Sequence, residues 1–204
     1  MTQTHLEHAD ELRGIAMVYR LLGRFFSSEL DEATWSLLLE PPTFEVLREL
    51  GIQPPERLAG SSVEEQLEDL AIDFCQLFVG PKDHLIPVHS VWSEGRYDAS
   101  AAQSLSQFLA AIGVRDPRQD SAMPVDHLGN QLTLMSQLLE RQAEGINGED
   151  NETPWDQIAQ QFSERFLRWP GPLLKQMESK AESEFYQSLA GVTYRFLEAE
   201  ADEA

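Results

Sequence analysis

Apolar side chains recur at intervals of three and four residues along nearly the whole chain, and no stretch keeps strict alternation. Leu12, Ile15, Ala16, Tyr19, Leu22 and Phe26 open the pattern, and Leu67, Leu70, Ala71, Phe74, Leu77 and Phe78 repeat it. Leu105, Phe108, Leu109 and Ile112 carry it on, then Leu128, Leu132, Met135, Leu138 and Leu139, then Ile158, Phe162, Phe166 and Trp169. A period near 3.6 puts such side chains on one face of a helix, whereas a half-buried strand needs a period of two. Those faces must be buried against one another. The expectation is therefore an all-α chain: one helical bundle of eight or nine helices, a single domain over residues 1–204.

Local punctuation divides the pattern. Asp31 to Glu40 reads as a helix stopped by Pro41-Pro42, and Thr43 as the cap of a short helix closing at Gly51. After the connector QPPERLAGSS, Ser62 and Glu65 have capping-box spacing, which starts a helix there. Pro124 suits the first turn of the helix through Leu128. Thr153-Pro154 opens another, WPGP at 169–172 breaks it, and two more follow around Leu173 to Lys180 and Phe185 to Glu200. The polar stretch Val114 to Ala122 reads as a linker.

Composition excludes several functions. Thirty-five acidic side chains against fifteen basic ones give a formal charge of −20. A phosphate backbone or an anionic lipid surface would be repelled, and a cationic partner drawn in. The N-terminus lacks the basic and apolar regions of a signal peptide, and no apolar run is long enough to span a bilayer, so residence in the cytoplasm is expected. A lone cysteine, Cys75, forms no internal disulfide and reads as a small core residue. P-loop and GxGxxG signatures are absent, and one cysteine cannot build a thiolate zinc site.

Residues 77–92, LFVGPKDHLIPVHSVW, behave differently from the rest. Gly80 and Pro81 end a helix, and Pro87 stiffens the loop beyond them. Yet Leu77, Phe78, Leu85, Ile86, Val91 and Trp92 keep the stretch apolar where a solvated loop would be polar. Turn chemistry alone does not explain such a loop, and packing on the core is one reading of it. His84 and His89, with Asp83, open a second reading if they meet Asp126 and His127: a small His/Asp metal-dependent enzyme. An acidic helical adaptor for some other basic partner is a third.

LFVGP followed by a proline and SVW resembles the signature segment of the TorD/DmsD family, the cytoplasmic redox-enzyme maturation chaperones. MPVDH resembles that family's second signature, an E-P-x-D-H segment, with Met123 replacing the glutamate and so removing a carboxylate there. The order of the two segments and the all-helical pattern fit the same family over most of the chain. The resemblance implies a TorD-like fold and a non-enzymatic chaperone without a cofactor or metal of its own. Its partner would be the twin-arginine leader of a molybdenum-cofactor reductase precursor of the DMSO or TMAO reductase type, held until maturation and then passed towards the export machinery. The resemblance places leader binding at Phe74, Leu77, Phe78, Pro87, Ser90, Trp92, Asp126 and His127, with Gly80, Pro81 and Pro124 shaping the segments. It also brings homodimers formed by domain swapping through 114–122. Having no Arg-Arg pair near its N-terminus, the chain is expected to be a receptor and not such a precursor.

Overall fold

The structure is a computed structural model that describes residues 3–52, 62–119, 122–146 and 153–203. The described residues hold ten α-helices. In order they are α1 (Gln3–Ser27), α2 (Glu32–Leu38), α3 (Pro41–Leu50), α4 (Val63–Phe74), α5 (His89–Glu94), α6 (Ser100–Ala111), α7 (Leu128–Ile146), α8 (Trp155–Phe166), α9 (Gly171–Lys180) and α10 (Glu184–Glu203). A π-turn, Cys75–Val79, continues α4, and a 3₁₀ turn spans Pro117–Gln119. The fold is all-α, as the periodicity requires, with more helices than the eight or nine expected.

The surplus has a local cause. The end of the apolar stretch, expected as loop, winds into α5, which stops at Gly95 in the left-handed conformation with φ 73°. Two starts also move. α3 begins at Pro41 and not after Thr43, because proline has the φ of a first helical turn and no N–H to leave unpaired. α7 begins at Leu128, four residues beyond Pro124, because the intervening backbone is engaged elsewhere. The capping box stands as read: the Glu65 N–H donates to Ser62 Oγ at 3.2 Å and the Ser62 N–H to Glu65 Oε2 at 2.7 Å.

The chain forms two compact units, each built from separate stretches. The first comprises residues 1–27, 87–169 and 201–204, and the second 28–86 and 170–200. Segment 114–122 lies within the first unit, and its residues 120 and 121 lie outside the described ones.

In the first unit α7 packs most extensively on α1, and next on α8. Tyr19, Leu22 and Phe26 of α1 and Leu132, Leu138 and Leu139 of α7 are buried. Two glycines allow the close approach. A Cβ on Gly23 would stand 2.6 Å from Thr133 Oγ1, and a Cβ on Gly129 would stand 2.9 Å from the Gly23 carbonyl oxygen. The hydroxyls of Ser27 and Thr133 turn back on their own helices, donating to the carbonyls of Gly23 and Gly129 at 2.7 and 2.9 Å. The second unit buries Trp35, Leu38, Leu47, Leu70, Phe74, Leu174, Met177 and Tyr186. Asp73, almost fully buried, accepts the N–H groups of Glu182 and Ser183 at 3.1 and 2.8 Å and so caps the start of α10.

Candidate functional site

In the first unit the two signature segments run against each other. Val88 and His127 form an antiparallel bridge. The Leu128 N–H donates to the Pro87 carbonyl at 2.8 Å, and the His89 N–H donates to the Asp126 carbonyl at 3.0 Å. This pairing holds 125–127 out of the helix and delays α7. Pro124 still serves the turn: its carbonyl accepts the His127 N–H at 3.1 Å and Asn130 Nδ2 at 2.8 Å.

Asp126 occupies the centre of this arrangement with no exposed surface. Its Oδ2 accepts the Ser90 N–H at 2.7 Å, capping α5 across 36 positions of sequence instead of its own helix. Ser90 is also fully buried. Ser90 Oγ and Asp126 Oδ1 find no hydrogen-bond partner among the described residues. His127 is 9% exposed, and its Nδ1 accepts the Gly129 N–H at 3.1 Å. Burial pushes its pKa down to about 4, against the opposing pull of Asp126. His89 lies parallel to Trp169, ring centroids 5.3 Å apart, and Trp169 Nε1 donates to Gln131 Oε1 at 2.8 Å. Burial lowers the His89 pKa too, while Asp126 and Glu94 resist. A cleft of about 520 Å³ opens beside His89, lined by Ser93, Glu94, Ser104 and Arg165 among others. Glu94 is not free to act there as a base: its carboxylate caps α6 through Ser100 and Ala101, which lowers its pKa.

The second unit holds the other half of the first signature. Phe74 and Leu77 face inward and are buried, Phe78 is half-buried, and the rings of Phe74 and Phe78 meet edge to face at 5.0 Å. The π-turn closes with the Gly80 N–H on the Cys75 carbonyl at 2.6 Å, and the Leu85 N–H then returns to the Leu77 carbonyl at 2.6 Å. A Cβ on Gly80 would lie 3.3 Å from the Cys75 carbonyl oxygen, so glycine suits this close turn. Pro81 is exposed. Cys75 is not the core residue expected. It is part-exposed, and its thiol donates to Glu29 Oε1 at 3.3 Å, which raises its pKa. Ordinary helical spacing already sets it on the side of Ile72, opposite Leu70 and Phe74.

Of the eight expected binding residues, Pro87, Ser90, Asp126 and His127 come together in the first unit, where Trp92 is half-buried on α5. Phe74, Leu77 and Phe78 belong to the second unit. The metal reading required His84 and Asp83 beside His89, Asp126 and His127. Among the described residues no three His, Cys, Asp or Glu side chains gather as a metal ion needs. Sequence reasoning missed the outer face of α4, where Ile72 and Val79 are 48% and 65% exposed. The signal was present: Ile72, Cys75 and Val79 fall at helical spacing on the side opposite Leu70, Phe74 and Leu77, making one helix apolar on two faces. No helix among the described residues is long and apolar enough to cross a membrane.

A family model described as nitrate reductase delta subunit matches residues 45–175. The chaperone protein YcdY of Escherichia coli strain K12 is 31% identical over 137 residues, 67% of this chain and 66% of that protein. The chaperone protein TorD of Photobacterium profundum is 23% identical over 141 residues, 68% of this chain and 64% of the relative. TorD of Shewanella sp. strain ANA-3 is 28% identical over 152 residues, 68% and 70% of the two chains. The chain thus spans just under two thirds of the first two relatives.

Proposed function

Because the chain belongs to the nitrate reductase delta subunit family, among whose matched relatives are the TorD and YcdY chaperones, we infer that it is a redox-enzyme maturation chaperone. Its client is a molybdenum-cofactor reductase precursor of the DMSO or TMAO reductase type, recognised in the cytoplasm through its twin-arginine leader before passage to the export machinery. It has no catalytic cycle of its own.

The observation that carries this reading is the pairing of the signature segments through Val88 and His127, with Asp126 capping α5. Three family-like positions, Pro87, Asp126 and His127, are spent on fixing one short helix, and α5 then presents Trp92. In this reading the buried members of the set, Pro87, Ser90, Asp126 and His127 in the first unit and Phe74 and Leu77 in the second, hold backbone in place. Among the eight expected residues, contact falls to Trp92 and Phe78, each on its own unit. Rigid backbone lowers the ordering cost that a flexible leader brings to binding. Exchange of elements between copies would use 114–122.

The test is a pull-down from cytoplasm with the tagged full chain. A molybdoenzyme precursor carrying an intact leader should dominate the captured proteins. Capture of unrelated basic proteins, with no such precursor, would replace this reading with that of an acidic adaptor.

A further inference from the structure

The outer side of α4 combines features that its structural role does not need. Ile72 and Val79, 48% and 65% exposed, lie seven residues apart with part-exposed Cys75 between them. Beside them runs a groove of about 470 Å³ whose walls include Glu29, Glu68, Ala71, Gly80 and Lys82. The same helix face continues towards the N-terminus as Glu68 and Glu64, both exposed. The face is therefore graded along its length: the carboxylates of Glu64 and Glu68 on its first turns, then Ile72, Cys75 and Val79 to the end of the π-turn, with Glu29 reaching the Cys75 thiol and Gln76 on the groove wall. Lys82 lies past the apolar end. Exposed apolar groups in a row beside a groove are a docking signal, and single ones are not.

We propose that this face binds an extended or helical segment whose basic end precedes an apolar run, with the basic residues on Glu68 and Glu64 and the apolar run over Ile72, Cys75 and Val79. The charge pattern selects the occupant. A purely apolar segment leaves the carboxylates unmatched, and a segment basic at its other end meets Lys82. A twin-arginine leader has the required order, so the proposal rests on the function inferred above and gives that leader a surface and a direction: it runs parallel to α4.

The test uses the full chain and two synthetic peptides. One carries an Arg-Arg pair followed by a run of leucine and alanine, and the other has Gln-Gln in place of the pair. The parent chain should bind the first more tightly. Ile72→Asp and Val79→Asp should each weaken it at least about tenfold. Leu6→Asp, a comparably exposed apolar position on α1, should leave it unchanged. Glu68→Gln, a change at an exposed polar position that the fold tolerates, should shrink the preference for Arg-Arg over Gln-Gln. Because Cys75 is the only cysteine, alkylation by iodoacetamide reports on the groove directly and should slow when the Arg-Arg peptide is bound.

Unchanged binding by both aspartate variants, with Cys75 alkylated as fast as before, overturns the proposed surface and leaves the leader reading standing. Equal affinity for both peptides overturns the charged end. A parent chain that binds neither peptide overturns the leader reading, and this surface with it.

Discussion

Asp126 meets no solvent, and one of its oxygens holds the first turn of α5 through the Ser90 N–H. Removing that acceptor leaves a buried N–H unpaired, so Asp126→Ala should lower stability by about 1–3 kcal/mol. Asp126→Asn keeps an oxygen in place and should cost less; urea unfolding of both variants measures this. The importance of Asp126 was legible in its motif, but its role was not, because a cap reaching across 36 positions leaves no local pattern. His127 gives a pH prediction. Its folded pKa, about 4, lies below the unfolded value, so between pH ~6.5 and 4 the unfolded chain binds the extra proton. Stability should then fall as pH drops through that window, by on the order of 3 kcal/mol, and His89 acts in the same direction. Unfolding midpoints for the parent and His127→Gln should converge as pH falls, and parallel curves would assign the pH dependence to other groups. Trp92→Ala should weaken binding of an Arg-Arg leader peptide by about 2 kcal/mol at near-normal stability. A loss of ~3–5 kcal/mol in stability with normal binding would make Trp92 a core residue.

The elements differ in how far sequence foretold them. α4 begins where the Ser62–Glu65 box said it would, because both bonds of the box lie within one turn. α5 was hidden, because six residues cannot hold a helix by propensity and its cap comes from another segment. The π-turn was hidden for a related reason. It adds one residue to the turn with no Gly or Pro inside Cys75–Val79 to mark it. The closeness of α1 and α7 is likewise a matter of tertiary fit. Gly129→Ala would set a Cβ 2.9 Å from the backbone carbonyl oxygen of Gly23, which cannot rotate away. The helix gains up to about 1 kcal/mol in propensity, but overpacking costs about 1–3 kcal/mol, and the net change in thermal unfolding should be destabilising. Gly23→Ala should be destabilising for the same reason, because its Cβ would stand 2.6 Å from Thr133 Oγ1 and 3.0 Å from the backbone carbonyl oxygen of Gly129.

For the whole molecule, charge and connectivity set the behaviour. With a formal charge of −20, association with an Arg-Arg peptide should slow as salt rises, since screening acts over about 10 Å at 0.1 M. Stopped-flow rates that stay flat from low to moderate ionic strength would mean that steering plays no part. The all-α class was legible because a 3.6-residue period survives any packing, whereas the division into two units was not, since each unit joins stretches far apart in sequence. That interleaving bears on the chain's own synthesis. Residues 1–27 belong with 87–169, so α1 leaves the ribosome long before α7 exists to cover it. About 100 residues separate the two helices, which at ~5–20 residues per second is a delay of roughly 5–20 s. During that interval Tyr19, Leu22 and Phe26, all buried in the finished fold, face the cytosol or whatever factor waits at the exit tunnel. A member of a chaperone family is therefore itself, at birth, a nascent chain in need of shelter.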